Sequence, residues 1–169
     1  MIIFKLILSI LIIFCSARIG IEISKKYIQR EKELYEIKNA FKIMETKIRY
    51  TYKPLKEIFE EISTTVDTSV ANIFKNASKY IEFKSAKSTW ENAIDNTNLF
   101  LNKEDIEIIK GFGKLLGKTD KLGQLSEIEL VISLIDKQIG QATAEREKNE
   151  NLYKKIGFIL GIGLVIILV

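Results

Sequence analysis

The sequence predicts an all-α protein: a membrane-anchored helical bundle in which two long antiparallel helices, continuous with N- and C-terminal transmembrane segments, carry about four short helices between them. Three observations predict it. Both ends of the 169-residue chain are strongly apolar. Between them, apolar residues recur at helical spacing. No run alternates apolar and polar residues with the period of two that a half-buried strand requires, and no internal repeat is visible.

Residues 2–17 are uncharged apart from Lys5, and residues 156–169 carry no charge. At about 1.5 Å per residue these stretches reach about 24 Å and about 21 Å, against a hydrocarbon core of about 30 Å. Extension through Ile19 and Ile21 at one end, and through Leu152 and Tyr153 at the other, closes the gap, with Arg and Lys heads reaching up to the interface. The expected domains are a transmembrane helix over 1–17, a helical domain over 18–155 and a second transmembrane helix over 156–169. For the N-terminus the alternative is a cleaved signal peptide, with Lys5 as its charged region, residues 6–14 as its apolar core, and Cys15 and Ala17 as the small residues before a cut. A lipoprotein site at Cys15 is disfavoured by Phe14, which stands where a small residue is wanted.

Charge asymmetry sets the expected orientation. Arg18, Lys25, Lys26, Arg30 and Lys32 follow the first span, Arg146, Lys148, Lys154 and Lys155 precede the second, and Lys5 alone lies toward the other side. By the positive-inside tendency the middle of the chain is cytoplasmic and both termini face outward. Gly157 and Gly161 form a GxxxG spacing with Gly163 beside it, a smooth face for packing against the first span or against a second copy of the chain.

In the middle, Leu34, Ile37, Phe41, Met44 and Ile48 step 3,4,3,4 along one helix face, so the first span is expected to run on into a long helix. Pro54 ends that helix or starts the next, and Lys53 before it is biased away from helical geometry. Leu55, Ile58, Phe59 and Ile62 mark a short helix, and the hydroxyl-rich stretch 63–69 a loop or cap. Val70, Ile73, Phe74, Ala77, Tyr80 and Ile81 mark another. Ser88 with Glu91 has the form of a capping box opening a third short helix, whose buried face is Trp90, Ala93 and Ile94. Trp90 reads as a core anchor, with a partner contact as the alternative.

Asn102 with Asp105 caps the next helix, whose face is Ile106, Ile109, Gly113 and Leu116, widened by Ile108, Phe112 and Leu115. Glycine inside a helix costs about 1 kcal/mol relative to alanine, so Gly111 and Gly113 argue for close backbone packing and Gly117 for the helix stop. Asp120 is expected to cap the last helix, with a seam at Ile128, Ile132, Ile135, Ile139 and Ala142. The polar collar that follows, from Glu145 to Glu150, reads as a solvated helix surface near the lipid headgroups.

Chemistry is hard to place on this chain. It has no histidine and one cysteine, which removes the commonest acid–base group and any Cys/His metal site. Gly117-Lys118-Thr119 looks like the end of a phosphate-binding loop, but that loop needs a glycine five residues earlier, where Phe112 stands. No strand-like run precedes it. A nucleotide-binding enzyme using Lys114, Lys118, Thr119 and Asp120 is the rival this pattern leaves. The net charge of +4 fits attraction to anionic lipid, and no basic stripe interleaved with aromatics points to nucleic acid. No enzymatic activity, cofactor, metal, nucleic acid or small-molecule substrate is expected.

Phe112-Gly113, Leu116-Gly117, Asp120 and Gln124 reproduce a FGxxLGxxDxxxQ pattern, supported by Tyr50 with Pro54-Leu55 and by Trp90-Glu91. On these residues the chain resembles the stage III sporulation protein AB family over nearly its whole length. Lys53 departs from the family, which usually has threonine before Pro-Leu. The resemblance implies a component of the channel linking mother cell and forespore, sited in the mother-cell membrane around the forespore. It also implies a cytoplasmic domain like those of the platform proteins of type II secretion and type IV pilus systems. The implied partners, besides the lipid bilayer, are a cytoplasmic secretion-type ATPase and the other channel subunits; the glycine face adds a second copy of the chain. The motif residues, Tyr50, Pro54, Leu55, Trp90, Phe112, Gly113, Leu116, Gly117, Asp120 and Gln124, are the candidate packing or partner contacts. The competing function is a membrane-anchored helical sensor or assembly factor unrelated to sporulation, which a ligand-sized pocket between the bundle helices would favour.

Overall fold

The structure is a computed structural model that describes residues 2–51, 53–82, 85–114, 116 and 121–168, with backbone alone at Ile2, Ile3 and Thr68. Six helices follow in order: α1 (Ile2–Tyr50), α2 (Leu55–Thr65), α3 (Thr68–Tyr80), α4 (Ala86–Asp95), α5 (Lys103–Phe112) and α6 (Lys121–Leu168). Among the described residues there is no strand. Two compact units result: one from Met1–Glu31 and Gln141–Val169, the other from Lys32–Gly140.

In the first unit α1 and α6 run antiparallel, since contacts step down α6 as they climb α1: Gly161 meets Ile13, Gly157 meets Gly20, and the rings of Tyr153 and Tyr27 stack with centroids 5.8 Å apart. Both helices are long and apolar enough to cross a membrane. Their apolar side chains point outward; Phe4, Phe14, Ile159 and Ile166 are all more than 60% exposed. Such a surface is stable only when lipid or protein covers it.

The glycine face is seated against α1. A β-carbon on Gly157 would lie 2.8 Å from the Ser16 carbonyl oxygen and 2.9 Å from Gly20 Cα, and one on Gly161 would lie 2.9 Å from Ile13 Cα. Gly20, which the sequence reading left unassigned, is as tight: its β-carbon would meet the Tyr153 carbonyl oxygen at 2.5 Å. Ser16 Oγ donates to the Gly157 carbonyl at 2.5 Å. In hydrocarbon, where apolar burial drives nothing, close backbone approach and interhelical hydrogen bonds of this kind hold helices together. Gly163 has open space around it.

The polar collar is more than a solvated face. Arg30 donates to Glu145 at 2.7 Å, while Glu31 accepts from both Arg146 and Thr143 at 2.7 Å. Arg30 and Glu31 are buried. The partners lie more than a hundred residues apart, so no window along the sequence shows them.

The second unit has an apolar core. Leu34, Ile37, Phe41, Met44 and Ile48 of α1 are all buried. On α6 the buried seam of this unit is Leu125, Ile128, Val131, Ile135 and Ile139, with Val131 rather than Ile132 facing inward; Ala142, in the first unit, is buried as well. Two α1 glutamates three positions apart each receive a backbone N–H from a connection: Glu36 from Asp67 at 3.0 Å and Glu33 from Phe100 at 2.7 Å. Glu33 is buried, and burial pushes its carboxyl up to about 6 against the pull of the Phe100 amide. Carboxylate burial without a cation has that effect.

The local capping signals in the sequence form at one helix start and not at another. The Asn102–Asp105 box forms reciprocally, Asn102 accepting from Asp105 N at 2.8 Å and Asp105 from Asn102 N at 2.9 Å. The Ser88–Glu91 box does not form. Helix α4 starts three residues earlier, with Ser85 rather than Ser88 as its N-cap, and Ser88 instead donates to the Ser85 carbonyl at 3.0 Å. Tyr80, one of the positions that mark α3 in the sequence, is 53% exposed. Helix α5 ends at Phe112, with Gly113 at its C-cap, rather than reaching Gly117. Gly117, Lys118, Thr119 and Asp120, and with them the stop, the cap and the phosphate-loop rival, lie outside the described residues, as does Leu115.

Candidate interaction site

The motif residues divide by burial. Trp90, Phe112, Gly113 and Leu116 are buried; Tyr50, Pro54, Leu55 and Gln124 reach solvent.

The buried set is organised by Trp90, which α4 aims into the centre of the second unit. Its ring lies within 6.2 Å, centroid to centroid, of Phe41, Phe59, Phe74 and Phe112, mostly edge to face. Each such pair contributes about 0.5–1.5 kcal/mol beyond the area it buries. The indole Nε1 donates to the Ile109 carbonyl at 2.7 Å. This carbonyl is one of the last four of α5, which have no intrahelical donor. Tighter bonds cover the next two, Gly113 N to Lys110 O at 3.0 Å and Lys114 N to Gly111 O at 3.1 Å. Trp90 therefore fills the core and caps a helix. The space bounded by Ile37, Phe41, Ile73, Phe74, Trp90 and Ile109 leaves no room for a water molecule.

Gly113 has helical backbone angles, φ −60° and ψ −22°, so no left-handed conformation demands glycine there. Proximity does: a β-carbon would lie 2.8 Å from Trp90 Cδ1. Gly111 differs, with nothing within 4 Å of the same position, and the expectation of close packing there fails.

The solvent-facing set gathers where α1 ends and α2 and α6 begin. Leu55 and Gln124 line one shallow groove of about 210 Å³ with Ile48, Thr51, Lys53 and Lys121. Tyr50, 77% exposed, immediately precedes Thr51. Pro54 is the N-cap of α2, with an extended ψ of 148°, so it starts that helix instead of ending α1. Lys53 pairs with Glu61, which also takes Lys47 at 2.5 Å. Hydrogen bonds from Lys47 and Lys53 hold the Glu61 carboxyl below its ordinary value, and the same contact raises the Lys53 ammonium. The groove lining carries two lysines, Lys53 and Lys121, and no acidic residue. Among the described residues no group of His, Cys, Asp and Glu could hold a metal ion.

Fold and site together define a membrane-associated helical protein whose compact core is built on one tryptophan and whose remaining motif residues form a surface. The family model for Stage III sporulation protein AB matches residues 5–169, and the chain belongs to that family. It is similar to Stage III sporulation protein AB of Bacillus subtilis (strain 168), with 27% identity over 168 residues, spanning 97% of this chain and 98% of the relative. A solved structure of a Stage III sporulation protein AB aligns with a TM-score of 0.64 and 24% identity, covering 71% of this chain and 98% of that one; it shows the same fold. Family membership sets aside a role unrelated to sporulation.

Proposed function

We propose that this protein is a non-enzymatic platform of the mother cell to forespore channel, holding a cytoplasmic secretion-type ATPase at the membrane through the groove at Leu55, Lys53, Lys121 and Gln124. In this reading residues 1–17 and 156–169 are retained spans in the mother-cell membrane around the forespore, and residues 18–155 face the cytoplasm. The observation that carries it is the partition of the motif: Trp90, Phe112, Gly113 and Leu116 are consumed by packing, while Leu55 and Gln124 meet in one groove between lysines. A small apolar centre in a charged rim suits a protein contact of modest area. The basic surplus after the leading span and before the trailing one supports the orientation.

A photo-crosslinker at position 124 in sporulating cells, with a second at exposed position 134 as control, tests the docking. Capture of an ATPase subunit from 124 and not from 134 is expected. Capture from both, or from neither while the channel complex is intact, overturns the assignment of the groove.

A further inference from the structure

A second groove, of about 430 Å³, opens between α3 and α4, within the size range of ligand sites. Its lining is uncharged: Asn76 and Tyr80 from α3, and Thr89, Asn92, Ala93 and Asn96 from α4. Thr89 and Ala93 are buried at its base, and Tyr80, Asn92 and Asn96 stand exposed at its sides.

Thr89 Oγ1 is buried without a hydrogen-bond partner, although the residue is only 4% exposed. A helical threonine ordinarily bonds back to the carbonyl three or four residues earlier. Here the Ser85 carbonyl already accepts from Thr89 N at 2.9 Å and Ser88 Oγ at 3.0 Å, which fills both of its lone pairs. An orphaned buried hydroxyl is destabilising until it finds a partner. A ligand in the groove reaches this hydroxyl only through a rotation about χ1 to another staggered well, which exchanges its methyl and hydroxyl positions.

The uncharged lining and its spacing suit an extended chain. Each wall presents polar residues four apart, Asn76 with Tyr80 and Asn92 with Asn96, so successive groups rise about 6 Å along each helix. Two residues of an extended chain advance about 6.6–6.8 Å. A carboxamide carries both a donor and an acceptor, the complement of a peptide unit; Asn96 Nδ2 already donates to the Asn92 carbonyl at 2.8 Å, which leaves its Oδ1 to accept from a peptide N–H. We propose that this groove binds an extended, uncharged segment of a partner protein, its peptide N–H and C=O groups paired with Asn76, Asn92 and Asn96 and its edge reaching Thr89. This site is separate from the Leu55–Gln124 groove and stands whether or not an ATPase docks there.

The test is a display library of random linear dodecapeptides selected on the full-length protein in lipid nanodiscs, counter-selected on N92A/N96A. Enriched peptides are then synthesised with a fluorophore and titrated by anisotropy. Binding is expected to weaken about tenfold or more in N92A, and equally when alternate peptide nitrogens are methylated with the side chains unchanged. T89V should weaken binding severalfold while leaving the melting temperature unchanged or higher, because it removes an unsatisfied group; that separates recognition from folding. Absence of any peptide surviving counter-selection overturns the proposal, as does binding indifferent to N-methylation or to these variants. Groove-dependent binding of an N-acetylglucosamine pentamer in place of peptide also overturns it, in favour of a carbohydrate ligand.

Discussion

Gly113 sits so close to Trp90 that a β-carbon on the glycine would come within 2.8 Å of the indole Cδ1. This contact explains why the motif needs glycine after Phe112. It also sets up a matched pair of variants. G113L must displace the ring at the centre of the core, and overpacking of that kind costs typically about 1–3 kcal/mol. G111A adds a methyl group where nothing lies within 4 Å and removes a helical glycine, a gain of up to about 1 kcal/mol. Thermal melts of the detergent-solubilised protein should therefore move in opposite directions. Equal shifts would refute the account of Gly113.

Replacing Trp90 by Phe removes the donor to Ile109 and leaves part of the indole volume empty. The buried carbonyl loses its partner at about 1–3 kcal/mol, with a cavity penalty added. We expect a total of about 3 kcal/mol, measured as a lower denaturation midpoint in urea followed by circular dichroism. A loss under about 0.5 kcal/mol would mean that α5 does not depend on this bond.

Glu33 gives a pH dependence whose sign is fixed by burial. Its folded pKa of about 6 lies above the ordinary 4.5, so the folded state holds the proton more tightly and favours the neutral carboxyl. The associated stability is fully present below about pH 4.5 and is lost as pH rises through about 6. One and a half units correspond to on the order of 2 kcal/mol. E33Q, which is neutral at every pH and still accepts from Phe100, should match the wild type near pH 4.5 and exceed it by about that amount at pH 8. Parallel stability curves across this range would show that Glu33 is not the group responsible.

In the membrane unit, G157L drives a side chain into the Ser16 and Gly20 backbone, whereas G163L meets open space. Titration of bicelle-embedded protein with dodecyl sulfate, read by helix dissociation, should lose about 1–2 kcal/mol for the first variant and almost nothing for the second, the scale of interhelical packing and hydrogen bonding in lipid. Indistinguishable curves would move the glycine face from this helix pair to a different neighbour.

The sequence determined what is local or periodic. Apolar runs at both ends, 3,4 spacing at Leu34 to Ile48, proline at 54 and the Asn102–Asp105 box depend on residues within one or two helical turns, and each was legible without a structure. What the tertiary structure decided is whatever depends on distant chain. Gly111 and Gly113 are indistinguishable in sequence, and only the arrival of Trp90 from α4 separates them. Ser88 and Glu91 satisfy a spacing rule, yet the helix begins at Ala86 with Ser85 as its N-cap, because a short polar spacing occurs often by chance. The collar's ion pairs join residues more than a hundred positions apart. The groove at Leu55 and Gln124 likewise needs the beginnings of α2 and α6 brought together. Local sequence chooses each helix and its apolar face; which face meets which, and what is left over as surface, follows from packing six of them at once.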